Sequence, residues 1–148
     1  MRIPWIIGFH FNRNQCIGNS ELCITSNKKI NAYETYRRLK TDAAFTTVAL
    51  GSVEEGVQQR AEVFWNKTTG EVYIDPTLLP EAPAGKQYQL WFILDGKPVD
   101  AGMISRTDAD FMHKMKECKA AQAFAITLEK EGGNPTPEGK MMVLGEVS

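Results

Sequence analysis

The chain has 148 residues and 17 basic against 18 acidic side chains, a net charge of -1, so it carries no electrostatic footprint for a phosphate backbone or an anionic bilayer. Nucleic acid is thereby excluded as a partner. The length is that of one domain, enough to bury about 68–70% of the unfolded surface without a metal or disulfide scaffold.

The three cysteines, Cys16, Cys23 and Cys118, are an odd set and form no disulfide framework. Apolar runs such as 5–7 and 90–94 are far shorter than the ~20 residues of a spanning helix. Arg2 and a brief apolar patch lack a sustained hydrophobic region and a small-residue cleavage site. The chain as written is expected neither to cross a membrane nor to carry a signal peptide.

Residues 1–27 hold no period of 2 or 3.6 for more than a few positions and are expected to be an irregular leader. His10, Cys16 and Cys23 match no compact zinc signature and lack a fourth ligand, so no metal site is assigned. Over 28–40, Ile30, Tyr33, Tyr36 and Leu39 recur every three residues among Lys28, Lys29, Arg37, Arg38 and Lys40, which predicts a short amphipathic helix capped by Ser26 or Asn27. The leader and this helix make up 1–43, and a β domain is expected over 44–148.

Alternation of Thr46, Val48 and Leu50 with Thr47 and Ala49 predicts a first strand. Ala61, Val63 and Trp65 then oppose Glu62 and Phe64, a turn follows at 66–70, and Val72 and Ile74 alternate with Tyr73 and Asp75, so a hairpin with one wet face is expected. Pro80, Pro83 and Gly85 punctuate the approach to the clearest strand, which starts at Lys86. Tyr88, Leu90, Phe92 and Leu94 share one face, with Gln87, Gln89, Trp91 and Ile93 on the other. Asp95-Gly96 suits a two-residue type I′ turn, and Val99, Ala101 and Met103 line the apolar side of the return strand, where Pro98 points to an edge.

Farther on, Phe111, Met112, Met115 and Cys118 lie three or four apart behind Thr107 or Asp108, which predicts an inserted helix of at most three turns, with Cys118 buried and His113 in solvent. Phe124, Ile126 and Leu128 alternate with Ala123, Ala125 and Thr127 in a strand whose second face is small. Gly132, Gly133, Pro135 and Pro137 define a stiff loop through Gly139 before the last strand, from Met141 or Met142 to Val147. The pattern predicts a mainly β fold: an antiparallel, Ig-like β-sandwich of about seven strands with a short inserted helix and an amino-terminal helix.

The run Pro83, Ala84, Gly85, Lys86, Gln87, Tyr88, Gln89, Leu90, Trp91, with Asp95, Gly96, Lys97, Pro98 and Val99, resembles the C-terminal extracytoplasmic domain of bacterial anti-sigma-K factors, the RskA-like family. The stretches 63–75 and 121–137, the latter with Gly133, Pro135 and Pro137 in its loop, and then 142–147, agree with it in order. The resemblance covers about 45–147. It implies a small β-sandwich outside the inner membrane, tied to control of a sigma factor held by a cytoplasmic region and released by a regulatory protease. Such family members carry a sigma-binding domain and a membrane span ahead of this domain, and the chain as written has neither.

No nucleophile with a base, carboxylate pair, metal cluster or glycine-rich phosphate loop occurs as a motif, so the chain is read as non-catalytic and without a cofactor. Asp95 is explained by its turn, and Asp100, Glu129 and Glu131 by solvated strand ends. Tyr73 and Trp91 are the candidate partner contacts: on outer faces they would form an aromatic platform for a carbohydrate or peptide, the alternative function, whereas Trp91 covered by the inserted helix or the amino-terminal segment would be packing.

Overall fold

The structure, a computed structural model, describes residues 20–105 and 111–148. One helix, α1 (Ser20–Thr41), precedes eight strands: β1 (Thr46–Ser52), β2 (Arg60–Trp65), β3 (Val72–Asp75), β4 (Lys86–Leu94), β5 (Lys97–Ile104), β6 (His113–Lys114), β7 (Ala123–Lys130) and β8 (Lys140–Glu146). All pairings are antiparallel, in one sheet of order β5-β4-β7-β8-β1-β2-β3-β6. The expected mainly β, antiparallel architecture is present, and the sheet curls on itself into a barrel-like sandwich. Its curl is plain from the core, where Trp65 on β2 meets Phe124 on β7 edge-on at 5.4 Å although β8 and β1 separate them in the sheet. Phe92 on β4 meets the same ring at 5.8 Å.

The inward set is largely the alternating one: Val48 and Leu50, Val63 and Trp65, Val72 and Ile74, Tyr88, Leu90 and Phe92, Phe124 and Ile126. On β5 the expected set of Val99, Ala101 and Met103 is corrected. Leu90 pairs with Gly102 but Trp91 pairs with Asp100, leaving Ala101 as the extra residue of a β-bulge. Ala101 is buried as expected, but one inserted residue flips the parity beyond it, so Ile104 and not Met103 enters the core; Val99, opposite Phe92 near the start of the strand, is 47% exposed. The Asp95-Gly96 turn is as expected, with φ of 51° and 71° at its two residues.

Helix α1 is longer than 28–40 and contains Ser26 and Asn27 in its interior. No glycine or proline occurs between Asn19 and Leu50, so nothing in the sequence stops the helix earlier. Its end is set locally: Thr41 Oγ1 donates to Arg37 O, and the Asp42 side chain accepts from Ala44 N at 2.9 Å. The expected stripe of Ile30, Tyr33, Tyr36 and Leu39 is also corrected. A repeat of three falls 60° short of a turn at each step, so four such residues spread over half the cylinder. Ile30 and Tyr33 are more than half exposed, and the packing face is Ala32, Tyr36 and Leu39.

That face lies on the outer side of the β2–β3 hairpin, where Tyr36 meets Phe64 edge-on at 5.7 Å and Lys40 Nζ reaches Glu62 Oε1 at 3.0 Å. Phe64 is therefore fully buried, and the hairpin's expected wet face is covered.

The inserted helix is not found in the described residues. From Phe111 to Cys118 the chain is not helical and contributes β6; residues 106–110 lie outside the description. Met115 N donates to Val72 O and Cys118 N to Gly70 O, at 2.9 and 2.7 Å, and the backbone bonds available at the edge of β3 outweigh a weak helical period in so short a segment. Cys118 is buried as expected, and burial pushes its thiol pKa up. His113 is half-buried in β6 opposite Ile74 and does not project into solvent from a helix. No described helix is long and apolar enough to cross a membrane.

Candidate functional site

The outer faces of β4 and β7 carry the densest polar chemistry of the described residues. On β7, Glu129 follows Ala123, Ala125 and Thr127 along the side opposite the core, and it is only 1% exposed. The loop 131–139 folds over this side and is fastened to the carboxylate. Gly139 N donates to Oε1 and Oε2 at 3.0 and 2.9 Å, Glu138 N to Oε1 at 3.2 Å, Asn134 Nδ2 to Oε2 at 2.6 Å, and Thr127 Oγ1 to Oε1 at 2.5 Å. Thr127 Oγ1 in turn accepts from Trp91 Nε1 at 2.9 Å.

Gln89 on β4 grips the same loop through its backbone. Its Nε2 donates to Asn134 O at 2.9 Å, and its Oε1 accepts from Asn134 N at 3.0 Å. The Nε2 group also donates to Asp100 Oδ1 at 2.8 Å, which accepts from Gly102 N, while the other Asp100 oxygen binds Lys116. The polar chain thus runs from Trp91 to Lys116. Gly133 is required at its position: φ is 79°, and a Cβ there would stand 2.7 Å from Gln89 Oε1.

Charge in this network is held by hydrogen bonds. Burial by itself would raise the Glu129 pKa, but donation from Thr127, Gly139, Asn134 and Glu138 outweighs it and holds the carboxyl below its ordinary value. Asp100 is likewise held low: burial opposes ionisation, and Lys116, Gln89 and Gly102 overcome it. A folded-state pKa below the unfolded one adds stability above the ordinary carboxylate range, and that stability is lost as pH falls through the folded value. Thermal melts are therefore expected to drop on acidification past the ordinary carboxylate range, with a shallower drop in Glu129→Gln. Equal slopes for the two proteins would exclude Glu129 as a source of the acid sensitivity.

Of the signature residues, Gly85, Gln87 and Gln89 are parts of this clamp and bond the loop 131–139. Pro83 O accepts from Lys86 N and Gly85 O from Glu131 N, each at 3.0 Å; Gln87 Oε1 accepts from Gly132 N at 3.3 Å; Tyr88 Oη donates to Pro80 O at 3.0 Å. Leu90 is in the core, Pro98 pairs with Ile93 on the outer strand, and Pro135 and Pro137 stiffen the fastened loop. Beside the clamp lies an open groove of about 410 Å³, lined by Glu81, Lys86, Gln87, Ser105 and Glu131 among others.

The two candidate partner contacts do not share a surface. Trp91 on β4 is fully buried with its indole N–H donating to Thr127, so it offers no ring face to a partner. Tyr73, on β3, is half-buried beside Phe45 and Lys114 and lines a separate cleft of about 320 Å³ under α1. The reading of Asp100 and Glu129 as solvated strand ends is overturned for Glu129 by its burial and for Asp100 by its place in the polar chain. The small-residue face that Glu129 continues was the available sign: Ala, Ala and Thr on one side of a strand leave room for a covering layer.

A carboxylate held ionised and surrounded by donors is a poor proton carrier near neutrality, and the arrangement suits fastening a loop. No group of three or more His, Cys, Asp or Glu among the described residues is placed to hold a metal. His10, Cys16 and the Cys23 side chain lie outside the described residues.

No curated protein and no solved structure matches the chain. The family model described as anti-sigma-K factor rskA, C-terminal, matches residues 23–141, which spans most of α1, all of β1 to β7, the fastened loop and the start of β8. With most of its length inside that match, the chain belongs to the anti-sigma-K factor RskA C-terminal family.

Proposed function

We propose that residues 44–148 form the non-catalytic regulatory domain of an anti-sigma factor on the outer side of the bacterial inner membrane, with 1–43 as the segment leading into it. Its partners in this reading are proteins: a sigma factor, held by the cytoplasmic region of membrane-anchored members, and a protease that ends the inhibition. The family match carries the reading, and the clamp supports a mechanism for it.

A protease needs accessible, extended backbone, and a folded barrel supplies that only by opening. Fastening the loop 131–139 through Glu129 and Gln89 removes one long connection from attack. The stability of the domain then sets how often cleavable chain is exposed.

The experiment is a core truncation in a membrane-anchored family member carrying this domain. Leu90, fully buried, is replaced by alanine at an expected cost of about 2–5 kcal/mol. Cleavage of the anchored protein is expected to quicken and sigma-dependent transcription to rise. An unchanged cleavage rate in a demonstrably destabilised domain would refute the reading.

A further inference from the structure

Strands β3 and β5 of the curled sheet do not pair with each other; the segment 113–118, which begins with β6, lies between them as a strap. Toward β3 it is held broadly. His113 and Lys114 pair with Ile74 and Tyr73, Met115 N and Cys118 N donate to Val72 O and Gly70 O, and Trp65 Nε1 donates to Cys118 O at 2.6 Å. Toward β5 the hold is narrow. Lys116 N turns the other way to Ala101 O at 3.0 Å, the Lys116 ammonium pairs with Asp100, and the Met115 methyl lies beside Gly102. The Ala101 carbonyl is free for this bond because Ala101 is the unpaired residue of the β5 bulge.

The geometry points to this strap as the endoproteolytic site of the domain: the seam with β5 opens ahead of the rest of the barrel, and the bonds cut lie between His113 and Lys119. An extended segment is the form in which an endoprotease binds its substrate, as a strand added to its own edge. Lys114, Lys116, Glu117 and Lys119 are exposed before any opening. Three other exposed connections are better protected. The loop 131–139 is fastened by Glu129 and contains Pro135 and Pro137, the approach to β4 contains Pro80 and Pro83, and the turn after β2 is closed by Asn66 Oδ1 accepting from Thr68 N and Thr69 N. The reaction is peptide hydrolysis: water supplies hydroxyl to the acyl carbon and hydrogen to the departing amine, and the protease is the only other participant. The biological use of the cut rests on the regulatory reading above; the opening of the seam does not.

Amide hydrogen exchange by NMR on the whole chain, with digestion by a lysine-specific endoprotease, tests it. The Lys116 amide, which is bonded across the seam, is expected to exchange about tenfold or more faster than Ile126 in β7, with first cuts after Lys114 or Lys116. Lys116→Met removes the ion pair from an exposed position. It is expected to speed strap exchange about two- to fivefold and leave Ile126 unchanged. Lys140→Met, which removes the exposed pair with Glu54 elsewhere, should alter neither. Strap amides exchanging in step with Ile126, first cuts outside the strap, or Lys116→Met accelerating both sites equally would each overturn the proposal. Such a failure leaves the stability reading standing, since Leu90→Ala tests that through the core and not through the strap.

Discussion

Glu129→Ala is expected to destabilise the domain by about 3–5 kcal/mol, the scale for removing one partner of a buried charged network. The substitution leaves Gly139 N, Glu138 N, Asn134 Nδ2 and Thr127 Oγ1 without the acceptor that all four use. Each buried donor left unmade costs about 1–3 kcal/mol, and relaxation of the loop toward water recovers part of the sum. Equilibrium urea unfolding measures it. Glu129→Gln keeps the shape and one acceptor but turns an amide toward Asn134 Nδ2 or Gly139 N, so its loss should be smaller, about 1–3 kcal/mol. A loss below about 1 kcal/mol for Glu129→Ala would mean that the loop is held without the carboxylate.

Phe124→Ala should cost a similar amount, about 3–5 kcal/mol, by a different route. Its ring is fully buried and takes the edges of both Trp65 and Phe92, so it joins the two walls of the curled sheet. Removal leaves a cavity that neither strand can close, because β7 is fixed in register by β4 on one side and β8 on the other. Aromatic edge contacts add to the transfer cost. Val99→Ala is the matched control on an exposed site of β5, with an expected change within about 0.5 kcal/mol. Comparable losses for the two substitutions would contradict the placement of the core.

The hairpin around Asp95-Gly96 was legible because every cue is local. Alternation from Tyr88 to Leu94, a two-residue turn with positive φ and a proline at the edge all lie within a few residues of each other. What escaped depends on distant partners. A bulge opposite Leu90 and Trp91 has no signature in the β5 sequence, yet it decides that Ile104 and not Met103 faces inward. The segment 111–118 carries a weak helical period, but its amides are bonded from two sides by β3 and β5, and that cannot be read from the segment itself. Glu129 looked like a strand end in water because the donors that surround it come mostly from residues five to ten positions later, after a Gly-Gly turn. The resemblance to the family was visible in the run from Pro83 to Trp91, and the structure gives it a physical meaning: Gln87 and Gln89 hold the backbone of the loop that bears the second half of the signature.

The most direct test of the account is the cleavage rate of a membrane-anchored family member, measured against the unfolding free energy of its domain across Lys140→Met, Leu90→Ala, Phe124→Ala and Glu129→Ala. The logarithm of the rate is expected to climb as stability falls, with Lys140→Met at the parental value and the three buried-site variants well above it. Rates that stay level across a span of several kcal/mol would contradict it.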